Sequence, residues 1–123
     1  MELKYKHAGH YWSSHEEAQR ARMLQEQEKA GAISNLVFHP RLRLSDAEIK
    51  YTADFSYVIG GDSLTLGTKV FEDFNSGRDP RFKDIARLWA AYGPAPLYIT
   101  RAKHGKEGLV FSHYKTIEGG ENK

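Results

Sequence analysis

The sequence predicts a mixed α/β fold, a short central sheet flanked by two helices. Three observations carry that expectation. A serine-capped helical segment lies near the start, strand-like alternation flanks a Gly60-Gly61-Asp62 turn, and a second helical segment lies between Asp79-Pro80 and Gly93-Pro94 with extended segments after it. At 123 residues the chain is long enough for one core and short for two, so a single domain is expected.

Residues 1–10 mix polar and aromatic side chains without a period and read as a flexible lead-in. His7 and His10 have no further ligands at suitable spacing, which argues against a metal there. A helix is expected from Ser13 or Ser14 to about Lys29, because the serines offer N-cap hydroxyls, Glu16 and Glu17 fill the first turn, and Gly31 ends it. Tyr11 and Trp12, just before it, suit a hydrophobic staple. Ala21 and Leu24 mark the inner stripe of this helix, and Glu17 lies one turn before Ala21 on the same stripe.

Residues 33–36 and 37–44 read as extended, interrupted at Pro40, which belongs on an edge strand or at a bend. Residues 50–59 form the clearest strand, with Tyr51, Ala53, Phe55, Tyr57 and Ile59 on one face and Asp54 on the other. After the Gly60-Gly61-Asp62 hairpin turn, a returning strand over 64–75 places Lys69, Phe71, Asp73 and Asn75 on one face and Val70, Glu72 and Phe74 on the other. Asp79 and Pro80 suit the N-cap and first position of the second helix, whose inner residues are Phe82, Ile85, Ala86, Trp89 and Tyr92. Trp89, at helical spacing with Phe82 and Ile85, reads as core rather than as a base-stacking platform. Residues 96–103 and 109–114 are the last expected strands, and the tail from Glu118 reads as disordered.

Cysteine is absent, which excludes a disulfide framework, a thiolate zinc site and a cysteine nucleophile, and suits a reducing cytoplasm. No apolar run approaches a membrane span and the start has no secretory core, so a cytoplasmic protein off the membrane is expected. The net charge of +2 is uninformative, but its distribution is not. Up to Asn75 there are 9 basic against 11 acidic residues, whereas 76–106 holds 7 basic residues against Asp79 and Asp84 alone. Two readings fit that cluster: a surface for a phosphate backbone, or a solvated helix face beside a basic strand end.

Three carboxylates stand out: Glu17 aimed inward, Asp54 mid-strand, and Asp73 near the end of the next strand. Carboxylates gathered in one cleft raise one another's pKa unless a proton or cation lies between them, so such a group suits a hard metal. Mg2+ fits best, with Mn2+ as an alternative, since Mg2+ needs only one or two protein carboxylates and leaves places for water and phosphate oxygens. Each residue also has a plainer role open to it. Glu17 suits a capping box with Ser14, as Glu16 does with Ser13; Asp54 suits the solvent face of a one-sided sheet, and Asp73 suits a cap on the loop that follows.

Several short motifs run in order from residue 11 to residue 92: Ser14-His15-Glu16-Glu17-Ala18, Ala30-Gly31-Ala32-Ile33-Ser34-Asn35-Leu36, His39-Pro40, Ala53-Asp54-Phe55-Ser56-Tyr57 and Glu72-Asp73-Phe74-Asn75-Ser76-Gly77. Together they resemble a family of phage-encoded proteins related to Holliday junction resolvases, within the PD-(D/E)XK nucleases. The resemblance implies a restriction-endonuclease-like core and a metal-dependent endonuclease acting on DNA, including branched junctions, as a homodimer in the host cytoplasm. It implies that Asp54 and Asp73 hold the metal, that Glu17 completes the acidic group, and that the Phe74 carbonyl adds a ligand.

The sequence departs from the family pattern at Asn75, where the family carries a lysine. A neutral amide cannot supply the ammonium's charge to the attacking water or the phosphate. Lys83, from the following helix, is the expected substitute, ahead of Lys69; its alternative is a solvated position on the outer helix face. Arg78, Arg81, Lys83 and Arg87 are the expected contacts to the DNA backbone. A second function class stays open: a nuclease fold that has lost catalysis and serves as a nucleic-acid-binding or assembly module.

Overall fold

The computed structural model describes residues 5–7, 10–12, 14–44, 49–61, 64–74, 82–106 and 108–120, with backbone alone at 5–7, 10 and 11. Residues 5–12, read as a flexible lead-in up to residue 10, contain two short strands, β1 (Tyr5–His7) and β2 (His10–Trp12), paired antiparallel. Helix α1 (His15–Lys29) starts as its sequence predicts: Ser14 is extended and its Oγ accepts a hydrogen bond from the Glu17 N–H at 3.1 Å. Past its end, Gly31 takes φ 84°, a left-handed conformation that glycine adopts without a Cβ penalty. Ala18, Ala21 and Leu24 are buried along the inner stripe, and so is Glu17.

Pro40 bends the next segment. Strand β3 (Ile33–Phe38) stops before it and β4 (Arg41–Arg43) starts after it, with His39 at φ 54° between them. The partner chain bends at the same level. The sequence suggested one strand over 50–59, but the structure has two, β5 (Lys50–Thr52) and β6 (Phe55–Ile59). Arg41 pairs with Thr52 and Phe38 with Phe55, so one antiparallel arm is folded over at 39–40 and 53–54. At the bend the Ala53 N–H donates to the Pro40 carbonyl and the Asp54 N–H to that of Glu72, transferring the chain from one partner to the next. The expected aromatic row is thereby divided: Phe55 and Tyr57 enter one core, and Tyr51 packs against the other.

The turn after β6 is longer than a tight hairpin. Strand β7 (Lys69–Phe74) begins five residues later than the expected 64–75, because 64–67 are spent in turns. Asn75 and the Arg78–Arg81 stretch, including the expected Asp79-Pro80 cap, lie outside the described residues. Helix α2 (Phe82–Tyr92) leads to β8 (Leu97–Gly105), which lies parallel to β7, and β9 (Gly108–Ile117) returns antiparallel. The result is a five-stranded mixed sheet in the order β3-β6-β7-β8-β9, with a separate β4-β5 pair. The α/β architecture with a mixed sheet and two helices is as the sequence predicts.

Alternation along β7 divides the interior. Val70 joins Trp12, Ala21, Leu24, Phe55 and Tyr57 in a core beneath α1, while Phe71 joins Trp89, Leu97, Ile99 and Ile117 in a core beneath α2. Trp12 is wholly inside, stacked on Phe55 at 5.1 Å between ring centroids. The Trp89 indole N–H donates to the Ala95 carbonyl at 2.8 Å. Tyr92, expected to face inward, ends the helix and is exposed. Residues 118–120, read as a disordered tail, run along the end of α2, and buried Gly119 lies so close that a Cβ there would meet the Gly93 carbonyl at 2.4 Å.

Edge strand β3 carries a bulge between Ser34 and Val37, where Asn35 takes φ 53°, and Glu28 on α1 accepts from the Leu36 N–H at 2.9 Å. No helix among the described residues is long and apolar enough to cross a membrane.

Glu72, completely buried mid-strand, would be costly without partners. It has three contacts: the Arg20 guanidinium donates to both carboxylate oxygens at 2.8 Å each, and the Tyr57 hydroxyl donates to Oε1 at 2.7 Å. Burial works against the charge on Arg20, and Glu72 more than offsets it, so the guanidinium pKa lies above its ordinary value. Arg20→Met should therefore cost roughly 3–5 kcal/mol by stranding a buried carboxylate. The double variant Arg20→Met with Glu72→Gln should recover more than half of that loss. Urea unfolding of the two variants checks the order.

Candidate active site

The bend at 53–54 sets Asp54 against the end of β7. Its carboxylate accepts from the Phe74 N–H at 2.7 Å, while its own carbonyl accepts from the His39 N–H at 2.9 Å, so backbone contacts on both sides fix the residue. Although the residue as a whole is only partly covered, its carboxylate is desolvated. Burial is the first cause that holds the Asp54 pKa well above the ordinary value of 3.8; the charges of Asp73 and then Glu17 add to it, as does a hydrogen bond with Asp73. Only the Phe74 N–H pulls the other way among these influences. Protonated Asp54 is the form this environment favours.

Asp73 reaches the same place from β7, one residue after Glu72 and on the opposite face of the strand. The Tyr51 hydroxyl donates a hydrogen bond to its Oδ2. Tyr51 is held edge-on against Trp89 at 6.0 Å between centroids, so the α2 core fixes the ring that positions this carboxylate. Glu17 comes from the first turn of α1, buried, with its backbone N–H on the Ser14 cap. The Ser14 hydroxyl supplies its half of the expected capping box to the backbone N–H of Glu17, while the Glu17 carboxylate acts as a charge on Asp54.

The three acidic residues singled out in the sequence therefore act on one another. Among the described residues, however, no three His, Asp or Glu side chains converge tightly enough to form a finished metal-ligand set. Asp54 and Asp73, hydrogen-bonded to each other, form the inner pair, and Glu17 acts on it as a nearby charge. That donor set is compatible with Mg2+, which takes one or two carboxylates and fills its remaining positions with water and phosphate oxygens.

The expected cations are less settled. Asn75, Arg78 and Arg81 lie outside the described residues. Lys83 and Arg87 are exposed on α2, and no hydrogen bond or ion pair among the described residues joins Lys83 to either aspartate. Lys69 lies over the Phe71 ring at 5.3 Å, toward the start of β7.

Two features escaped the sequence reading. Tyr51 had been placed on the face opposite Asp54, and only the bend brings its hydroxyl to Asp73. The alternations Arg41-Leu42-Arg43 and Lys50-Tyr51-Thr52 carried a usable signal: with Leu42 and Tyr51 packed inward, Arg41, Arg43, Lys50 and Thr52 face outward.

A raised carboxyl pKa means that the folded chain binds its proton more tightly than the unfolded chain does. Stability is then lost as pH climbs from the ordinary value near 3.8 through the raised one. Asp54→Asn keeps an acceptor for the Phe74 N–H and removes this loss, so the variant should melt several degrees above the wild type at pH 8 and match it near pH 4, as thermal melts at the two pH values would read. No family model, curated protein or solved structure matches this chain.

Proposed function

We propose that this protein is a metal-dependent endonuclease with a restriction-endonuclease-like core of the PD-(D/E)XK type, hydrolysing DNA phosphodiester bonds. The observation that carries the reading is the Asp54–Asp73 pair, one carboxylate from the bend between β5 and β6 and one from β7, which act on each other with the Glu17 charge nearby. Mutual repulsion of this kind is relieved by a divalent cation or a proton. Branched DNA as substrate and a homodimer as the working form come from the resemblance to phage resolvase relatives, since paired cuts on opposed strands suit two-fold symmetry.

Asp54 and Asp73 would hold Mg2+ or Mn2+, with Glu17 and the Phe74 carbonyl completing the set. The cation, when bound, would offset charge on the scissile phosphate and lower the pKa of the attacking water. The chain's own residues do the positioning. The Phe74 N–H fixes one oxygen of Asp54, and Tyr51 fixes Asp73, so neither carboxylate has to be ordered when a cation arrives. Lys83, Arg87, Arg78 and Arg81 are the proposed contacts to the phosphate backbone, and Lys83 the proposed replacement for the lysine absent at position 75.

Asn75 favours a second reading, in which the same fold binds DNA or a partner protein without cutting. Cleavage of labelled four-way junction, flap and linear duplex DNA separates the two. The nuclease reading expects cutting with Mg2+ or Mn2+ that chelator abolishes, and a loss of about a hundred-fold or more in Asp54→Asn and Asp73→Asn. Tyr51→Phe, which removes only an orienting hydrogen bond, should lose about 10–100-fold and need more metal. Lys83→Ala reports on the substitute lysine. Binding without cutting under every cation tested would select the second reading.

A further inference from the structure

The β4-β5 pair has two unlike faces. Leu42 and Tyr51 point into the α2 core, and Tyr51 reaches Asp73. The other face presents Arg41, Arg43, Lys50 and Thr52, which with the edge of Leu42 line an open depression of about 430 Å³. Arg41 sits opposite Thr52 and Arg43 opposite Lys50, so two rungs of the pair carry three cations and a hydroxyl. Arg41, Arg43 and Lys50 are all exposed. The rung with Arg41 and Thr52 lies two residues from both His39 and Asp54, which are joined by a backbone hydrogen bond. The cationic face therefore begins two residues along the chain from Asp54.

We propose that this face of the β4-β5 pair is a binding surface for the phosphodiester backbone of duplex DNA, holding the phosphates next to the one presented at Asp54. The proposal rests on the nuclease reading for its orientation, but its evidence is the cationic face itself. Neighbouring side chains on one face of a strand stand about 6.5–7 Å apart, comparable with successive phosphates along a nucleic-acid strand. Arginine suits such a role, because its planar fork bonds two phosphate oxygens at once. Thr52 adds a hydroxyl donor to the same face. Because Tyr51 belongs to the same three-residue strand as Lys50 and Thr52, a backbone held on the outer face is held in register with Asp73.

The test is a salt series of equilibrium binding to a labelled linear duplex, without divalent cation, comparing the wild type with Arg41→Ala/Lys50→Ala. Each phosphate contact to B-DNA contributes a slope of about 0.9 in log K against log salt. The double variant is expected to lose about 2 from that slope and bind about ten-fold more weakly at physiological salt, with an unchanged melting temperature because both side chains are exposed. An unchanged slope and affinity overturns the proposal, whatever the cleavage assay shows. A reduced slope in a protein that never cuts sustains this surface while the nuclease reading fails. A wild type that does not bind duplex at all removes the surface as a DNA site.

Discussion

Pro40 has no amide hydrogen, so the β3-β4 arm cannot continue its ladder through that position, and the arm paired with it turns at Ala53 and Asp54. Around this joint the acidic end of the sheet is assembled. The turn moves Tyr51 to the α2 side, leaves Phe55 on the α1 side, and delivers Asp54 to the end of β7, where the Phe74 N–H meets its carboxylate. A straight strand over the same residues would have kept Asp54 and Tyr51 on opposite faces.

Two consecutive acidic residues on β7 show how the fold treats charge. Glu72 faces α1, where Arg20 and the Tyr57 hydroxyl satisfy it completely, and burial pushes the Tyr57 hydroxyl pKa far upward as the adjoining carboxylate adds to the effect. Asp73 faces the other way and meets a tyrosine and another acid. The same strand thus carries one carboxylate fixed in a structural ion pair and one that meets a second carboxylate.

Much of this was legible from residue patterns. The Ser14 cap, the Gly31 terminus, the Ala21–Leu24 stripe and the alternation along β7 each follow from local rules, and each is present. That Glu17, Asp54 and Asp73 act on one another follows from the need of a carboxylate on an inward stripe or within a sheet for a partner. The bend at Pro40 was legible, but the matching break at 53–54 was not, because alternation over 50–59 is unbroken and the missing amide hydrogen belongs to the paired segment. Arg20 with Glu72 was invisible for a similar reason: the two are 52 residues apart, and nothing local marks either as half of a pair.

The bulge in β3 carries a consequence for how molecules of this protein meet. The register breaks there, Asn35 turns the backbone aside, and the Leu36 amide is already occupied by Glu28 of α1. An incoming strand finds no continuous ladder to extend along that border, which is a natural protection against uncontrolled edge-to-edge growth. The opposite border is β9, ten residues long, and its register with β8 shifts as well, at the exposed Tyr114 opposite Ile99 and Thr100. Among the described residues both borders of the sheet are thus interrupted, and neither offers an unbroken ladder for endless stacking.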